Sequence, residues 1–448
     1  MVVKNKKSQS VEYEKKRKLT KLNKDTNLGN GKVWTNRMKD IILPKILPKT
    51  QFNCQKDINI IDEIVELRDI NIDLLQGNGG QEKDATILSI DFSNAFRSTS
   101  LRWYNLVMKK LNIPQDFIDW FWSMYNDLKV RIKINDRVSE SLDVMKGFME
   151  GHPPSMAAFV TQILPLFYAL ENILEGIKLG NKIHKLKGFA DDVKVVLRRP
   201  EEINSCYNII TKFEKVSGLK MHRDPTREKC QALPFGLHRD FKSWPDWVTV
   251  KDKVKIVGIW FTNQPNKLEE LNTALVEQNF HMALHEAMGM RATLHQKVYY
   301  VNTYLFSKLW YTAQVFKMNE KSIAHLLKSA LNFIYAGENE RPVRVLNFRD
   351  RERGGLGLIE PEVKAKALLG QNMYKQWLNG KRTEDIYGNI DILRDLIRIN
   401  NCEITTKQIY DILIKDTIEK NGSLIESRNE KREIGIKWRH VWKNLISV

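Results

Sequence analysis

Cysteine is scarce in this chain. Its four copies, Cys54, Cys206, Cys230 and Cys402, are scattered over 448 residues with no zinc-ligand or disulfide-framework spacing. That pattern excludes a disulfide-stapled secreted scaffold and a zinc module, and fits a reducing compartment. No apolar segment follows the N-terminal lysines, so no signal peptide is visible. The longest apolar stretch, Met156 to Leu170, is too short to span a bilayer and contains Gln162 and Pro165, so no membrane partner is expected. Internal repeats and low-complexity tracts are absent. Acid is also in deficit, with 54 Asp and Glu against 72 Lys and Arg, a net charge of +18. An intracellular, soluble protein with a polyanionic partner is the natural expectation. A membrane surface or plain solubility are the other reasons for a chain to be basic.

What is present describes a globular protein, 42% apolar and 28% charged, long enough for two to four domains. The first fifty residues hold fourteen Lys and Arg against four Asp and Glu, a net of +10 and over half of the total. Residues 1–16 read as a basic tail, and Lys15-Lys16-Arg17-Lys18 as a nuclear localisation signal, which makes the nucleus the expected location. Periodicity predicts a helix from Ile58 to Ile72, a loop at Gly77 to Gly80 and a strand from Ala85 to Asp91. Ser98 or Ser100 then caps a helix carrying Leu101, Tyr104, Met108 and Leu111 at helical spacing. After Pro114 a second helix places Phe117, Trp120, Phe121, Met124 and Leu128 on one side, a core stripe rather than a base-stacking platform. Val130, Ile132 and Ile134 alternate with Arg131 and Lys133 before a turn at Asn135-Asp136, a hairpin with one basic face. Gly147 to Gly151 leads into a long apolar helix from Ser155. Strands flank Asp191-Asp192, a helix covers Glu202 to Val216, and a strand runs from Val254 to Phe261. Beyond residue 265 the pattern is almost wholly helical, so a sheet-bearing α+β region precedes a helical one.

The chemistry concentrates at three aspartates. The strand Ile87-Leu88-Ser89-Ile90 delivers Asp91 at its end, and one hundred residues later Gly188-Phe189-Ala190-Asp191-Asp192 delivers two more beside the strand Val193-Lys194-Val195. Three carboxylates brought together can hold two divalent cations for in-line phosphoryl transfer, and magnesium suits a site with few carboxylates that shares substrate phosphates. Without metal the three should repel one another and show raised pKa values. An Asp-Asp pair alone is weak, since a motif needs its context.

That context resembles a reverse transcriptase of the non-LTR (LINE-like) retrotransposon class, over about Arg17 to Trp442. Ser89-Ile90-Asp91-Phe92-Ser93-Asn94-Ala95-Phe96 is similar to motif A, and Lys146-Gly147-Phe148-Met149-Glu150-Gly151-His152-Pro153-Pro154-Ser155 to motif B. Phe189-Ala190-Asp191-Asp192 is similar to motif C, Val216-Ser217-Gly218-Leu219-Lys220 to motif D, and Val257-Gly258-Ile259 to the primer grip. Upstream, Arg17-Lys18-Leu19-Thr20, Asn36-Arg37-Met38-Lys39 and Leu47-Pro48-Lys49-Thr50-Gln51-Phe52 resemble finger motifs. Downstream, Ser307-Lys308-Leu309-Trp310 and the stretch from Asn347-Phe348-Arg349 to Gly354-Gly355-Leu356-Gly357-Leu358 resemble thumb and post-thumb segments. The resemblance implies an α+β right-hand polymerase of fingers, palm and thumb with a helical C-terminal extension. Its divisions would be a tail at 1–16, fingers at 17–85, palm at 86–262 with a finger insert near 112–145, thumb at 263–345 and a post-thumb region at 346–448.

The same resemblance implies an RNA-directed DNA polymerase that extends a DNA or RNA primer on an RNA template with deoxynucleoside triphosphates. Two Mg²⁺ ions, or Mn²⁺ in their place, would be bound by Asp91, Asp191 and the Phe92 carbonyl, with Asp192 supporting at least one. Asn94, Ala95, Glu150, Gly151 and Arg17 would meet the nucleotide, and Phe96 would block a ribose 2′-hydroxyl. Val257 and Gly258 would position the primer end. Arg37, Lys39, Arg131 and Lys133 would contact phosphates.

Several positions depart from the family. Glu150 replaces a glutamine and puts negative charge where the triphosphate approaches, while Arg97 stands where motif A ends in aspartate. His152-Pro153-Pro154-Ser155-Met156 replaces Cys-Pro-Leu-Ser-Pro. Pro225 replaces the motif D lysine, a proton donor to pyrophosphate, with Arg223, Arg227 or Lys229 as substitutes. Asn53-Cys54-Gln55-Lys56 replaces a Gly-Phe-Arg-like stretch. Nothing preceding these motifs is long enough for an endonuclease and no Cys/His knuckle follows them. A fragment or degenerate copy of a retrotransposon open reading frame, or a repurposed polymerase, is therefore expected, and target-primed integration would need an endonuclease in trans. Glu150 and Pro225 also motivate a rival reading, a degenerate, catalytically weak or inactive nucleic-acid-binding protein that keeps the fold. An RNA-templated RNA polymerase is a third, which Phe96 opposes.

Overall fold

A five-stranded sheet organises the first of the two units into which the chain divides, Met1–Val254 and Lys255–Val448. The computed structural model describes residues 22–378 apart from 57, 78–81, 127–128, 132, 135–136, 180–181 and 338–343. The basic tail, Arg17, Lys18, the turn at Asn135-Asp136 and residues 379–448 of the C-terminal extension lie outside these described residues.

The sheet's strands are β1 (Ala85–Ile90), β2 (Leu186–Phe189), β3 (Asp192–Leu197), β4 (Gln231–Phe235) and β5 (Thr249–Val250), in the order β5-β4-β1-β3-β2. β1 lies at the centre, antiparallel to both neighbours, with Leu88 opposite Val195 on β3 and Ala232 on β4. Only the β4–β5 edge is parallel. β1 is a nearly unbroken apolar run because both its faces are covered, and five of its six residues are buried.

Helices cover the sheet. Helix α1 (Leu22–Arg37) inserts the buried Trp34, which stacks on Phe117 at 4.8 Å between ring centroids. α2 (Ile60–Gln76) begins at a capping box. Asn59 Oδ1 accepts the Ile61 and Asp62 amides, and Asp62 Oδ2 accepts the Asn59 amide at 2.7 Å. α3 (Leu101–Lys110) is capped by Ser100, whose hydroxyl accepts the Trp103 amide, so of the two candidate serines Ser100 is the one that acts. α4 (Gln115–Tyr125) buries Phe121 and Met124 in the same core as Trp34, and Phe117 and Trp120 pack against it. The aromatic stripe is therefore core.

α5 (Pro153–Ile173) is longer than the apolar stretch suggests, because Pro153 and Pro154 form its first turn, where a missing N–H costs nothing. It is the one helix among the described residues long and apolar enough to cross a membrane, so the length argument from Met156–Leu170 does not hold. Ala157, Ala158, Phe159, Ile163 and Phe167 are instead buried in the core of this unit. Losing one such ring, as in Phe167→Ala, costs about 3–5 kcal/mol. α6 (Glu202–Ser217) completes the layer.

The expected basic hairpin is broken into two short ladders. Lys129–Val130 pairs with Leu142–Asp143, and Lys133–Ile134 pairs with Arg137–Val138. The single strand predicted over Val254–Phe261 is two strands, Lys253–Ile256 and Ile259–Thr262, separated by Val257 and Gly258. Those two residues have φ of +46° and +85°, the positive pair that a two-residue hairpin turn demands.

Within the second unit the regular elements beyond this hairpin are, among the described residues, all helices, as expected. α7 (Leu268–Ala287) and α8 (Glu320–Ile334) share an apolar core that includes Val276, Phe280, Leu305, Phe306, Leu326 and Leu331.

Candidate active site

Sheet register brings the motif A and motif C aspartates to one end. Ile90 faces Val193 across the β1–β3 ladder, so Asp91, just beyond β1, emerges beside Asp191 and Asp192 at the start of β3. The turn between β2 and β3 is tight, with Phe189 directly opposite Asp192 and Ala190 at φ +59°. All three carboxylates are partly exposed. Burial pushes the Asp191 carboxyl above its ordinary range, and the nearby Asp192 and Asp91 add to it. The raised pKa expected from mutual repulsion is met at Asp191, with burial the larger cause and repulsion the lesser.

Asp91 also has basic company. Lys229 Nζ lies 3.5 Å and His222 Nε2 3.8 Å from its Oδ2, and the His222 amide donates to the Asp91 carbonyl at 3.0 Å. Phe92 is buried, and the strand Phe92–Ser93 pairs with Lys220–Met221. Among the described residues no three His, Cys, Asp or Glu side chains form a ready metal cage. Two carboxylates and a carbonyl, one carboxylate resisting ionisation, fit a hard cation that keeps phosphate or water oxygens in its shell.

Motifs A and B are zipped together. The Gly147 amide donates to the Thr99 carbonyl and the Phe148 amide to the Phe96 carbonyl, both at 2.8 Å. Gly147 has φ +86°, and a Cβ there would sit 2.7 Å from the Arg97 carbonyl oxygen, so only glycine fits this junction. Asn94 is exposed and left-handed at φ +46°, and Ala95 is buried. Phe96 is half-buried, with its ring stacked on Phe159 at 4.6 Å. Gly151 has φ +75° and open space around its α-carbon. Glu150 is not a bare negative charge, because Arg97 Nε donates to its Oε1 at 2.9 Å.

The other expected residues are placed as follows. Arg37 is exposed and sits over the Trp120 ring at 5.8 Å. Lys39 lines a cleft of about 450 Å³ with Phe52, Asn53, Gln55 and Phe189. Arg131 donates to the Ser141 hydroxyl at 3.1 Å, while the Lys133 side chain and Arg17 lie outside the described residues. Val257 and Gly258 belong to the second unit, where Tyr311 Oη donates to the Val257 carbonyl at 2.7 Å. Of the substitutes for the motif D lysine, Arg223 is held by Glu214 at 2.6 Å and Arg227 pairs with Asp224, which leaves Lys229 as the one beside Asp91.

Three features escaped the sequence reading. His222 touches Asp91, although nothing in a loop sequence marks it. Lys194 and Glu63 are both wholly buried and 3.1 Å apart, and Lys194 Nζ also lies 3.6 Å from Asp192 Oδ1. Lys187 pairs with Glu66 one helical step away. Acids at i and i+3 in an apolar helix, with two lysines in apolar strands, were a readable signal for that pairing. The third is Gln51, whose buried side chain bonds the backbone of Ala190.

The model of the family described as "Reverse transcriptase (RNA-dependent DNA polymerase)" matches residues 5–261, more than half of the chain. The chain belongs to the reverse transcriptase family. The right-hand polymerase fold follows. A relative is the "Transposon TX1 uncharacterized 149 kDa protein" of Xenopus laevis, 22% identical over 343 residues, or 73% of this chain and 25% of that one. This chain therefore spans a quarter of the relative's length. Together these matches uphold the resemblance to non-LTR, LINE-like reverse transcriptases. Among solved structures, telomerase from Candida tropicalis with a fragment of telomeric RNA matches at a TM-score of 0.40 and 11% identity, covering 87% of this chain and 56% of that one. Telomerase from Candida albicans with such a fragment matches at 0.38 and 10%, covering 79% and 55%. Likenesses this distant carry no argument.

Proposed function

We propose that this reverse transcriptase family member is an active RNA-directed DNA polymerase, extending a DNA or RNA primer on an RNA template with deoxynucleoside triphosphates. The observation that carries the reading is the placement of Asp91 and Asp191 at one end of the antiparallel β1–β3 pair, with Asp191 resisting ionisation there. Asp91, Asp191 and the Phe92 carbonyl would hold two Mg²⁺ ions, or Mn²⁺, with Asp192 supporting at least one. Such ions, when bound, supply Lewis acidity and charge neutralisation for in-line phosphoryl transfer.

The chain's own residues do the rest. The exposed backbone at Asn94 and the open, left-handed Gly151 let a triphosphate approach closely, with Ala95 packed beneath. Phe96, braced on Phe159, presents a fixed ring edge against a ribose 2′-hydroxyl and favours deoxynucleotides. Lys229, beside Asp91, supplies the positive charge that Pro225 cannot. Val257 and Gly258 form the primer grip. Arg17, Arg37, Lys39, Arg131 and Lys133 are phosphate contacts. We assign fingers, palm and thumb within the bounds 17–85, 86–262 and 263–345.

The rival reading of a dead fold loses its main motive, because the Glu150 charge is matched by Arg97. Deoxynucleotide incorporation on primed RNA tests the proposal. It should be present in the wild type and absent from Asp191→Ala, and a wild type without incorporation sinks it.

A further inference from the structure

Asp191 follows a residue in an uncommon conformation. Ala190, at φ +59°, is a non-glycine residue in the left-handed region and needs its surroundings to hold it there. One side chain grips its backbone from both sides. Gln51 is wholly buried, its Oε1 accepts the Ala190 amide at 3.0 Å, and its Nε2 donates to the Ala190 carbonyl at 3.4 Å. The same Oε1 accepts the Asn53 amide at 3.1 Å, which fixes the orientation of the glutamine amide.

The segment that carries Gln51 is itself tied to the sheet. Gln51 and Gly188 form a parallel bridge beside β2, with the Gly188 amide donating to the Thr50 carbonyl at 2.9 Å and the Phe52 amide to the Gly188 carbonyl at 2.8 Å. A short piece of chain between α1 and α2 thus runs as an extra strand along the edge of the palm. It reaches over the end of β2 to close on the turn that presents the carboxylates. A glutamine can do this because its amide offers an acceptor and a donor at once, matching the donor and acceptor of a single peptide residue. No apolar side chain of the same size can.

We propose that Gln51 is a positioning residue for Asp191: by clamping left-handed Ala190 it fixes the direction of the Asp191 carboxylate and so the affinity of the site for divalent cations. The inference rests on the reading of Asp191 as a cation ligand. Gln51 touches neither substrate nor metal in this scheme. Its contribution is conformational, and its loss should weaken cation binding and turnover without changing how the protein holds nucleic acid. Because the clamp belongs to the segment before α2 and the aspartate to the palm sheet, the same contact ties these two parts of the unit together at the reacting end.

The test uses the full chain with primed RNA and follows Mn²⁺ binding by the electron paramagnetic resonance signal of the free ion, beside steady-state extension and thermal melting. Wild type, Gln51→Met, Gln51→Met with Ala190→Gly, and Asp191→Asn are compared. Gln51→Met keeps the volume and removes both bonds. It should weaken Mn²⁺ binding about tenfold and lower kcat, with KM for deoxynucleotides and RNA affinity unchanged. Glycine adopts positive φ without penalty, so Ala190→Gly on that background should recover most of the Mn²⁺ affinity, which a merely structural role for Gln51 would not produce. Should Gln51→Met fail to fold, Gln51→Asn, which keeps the amide but falls one methylene short, is read the same way. Folded Gln51 variants that bind Mn²⁺ as the wild type does overturn the proposal, as does a defect that Ala190→Gly leaves untouched. If wild type and Asp191→Asn bind Mn²⁺ alike, the reading of Asp191 itself fails and this inference falls with it.

Discussion

Arg97 and Glu150 are bonded to each other, Nε to Oε1 at 2.9 Å and Nη2 to Oε2 at 3.4 Å. These are the residues by which motifs A and B depart from the family's usual aspartate and glutamine. Each looks damaging alone, one for reversing a charge and the other for placing a carboxylate where a triphosphate must come. As a pair they leave no net charge. Both side chains are about half exposed, so the pair contributes at most about 1 kcal/mol to stability, and its effect is on the local field. Arg97→Ala should therefore barely move the melting temperature and should raise KM for deoxynucleotides about fivefold, by leaving Glu150 unmatched. Adding Glu150→Gln should bring KM back. Steady-state extension at varied nucleotide concentration reads this, and an unchanged KM in Arg97→Ala contradicts it.

Glu63 and Lys194 are fully buried, and Lys194 links α2 to the backbone and side chain of Asp192. Breaking such a pair leaves a charge without its partner inside the protein. Glu63→Ala should lower the unfolding free energy by about 3–5 kcal/mol, and Lys194→Met in addition should recover most of that loss. Urea denaturation of the two variants decides. Equal losses in the single and double variants would show that Glu63 acts through packing and not through charge.

Asp191 gives the metal-free protein a pH signature. Its carboxyl is pushed up by burial, with Asp192 and Asp91 adding to it, so the folded state binds its proton more tightly than the unfolded chain does. The stability from this group is fully present below the unfolded value of about 4 and is lost as pH rises through the folded value. In chelator, Asp191→Asn should melt above the wild type at neutral pH, and the two should converge as pH falls toward 4. An offset independent of pH contradicts the assignment.

Tyr104 carries a hydroxyl buried in the core with no hydrogen-bond partner among the described residues. Its ring meets Phe121 at 4.9 Å and Phe148 at 5.2 Å, edge-on, contacts that phenylalanine would keep. Tyr104→Phe should be neutral or stabilise by about 1 kcal/mol, since it removes an unsatisfied polar atom. A clear fall in melting temperature would mean that the hydroxyl has a use that the fold does not reveal.

Much of the sheet-bearing unit is legible in the sequence because burial imposes a period there. The run over Ala85–Ile90, the helical spacing of Leu101, Tyr104 and Met108, and the aromatic stripe of α4 are each read correctly from side-chain type. The aspartates are legible too, since a strand that ends in a carboxylate is rare enough to notice beside its motif. Reading fails where backbone conformation or long-range contact decides. Val257 and Gly258 continue an apolar strand by residue type, yet both adopt positive φ and turn the chain back. His222 and Lys229 reach Asp91 from the loop after α6, and no period predicts which loop residue does so. Gln51 is a polar residue in a connecting segment, and its importance shows only once Ala190 is found left-handed beside it.

The most direct measurement is primer extension on a heteropolymeric RNA template with Mg²⁺, wild type beside Asp191→Ala, with RNA affinity measured for both. Extension by the wild type alone is expected, with equal, salt-sensitive RNA binding by the two proteins. Retained RNA binding with no extension by either, across several salt concentrations, would contradict it.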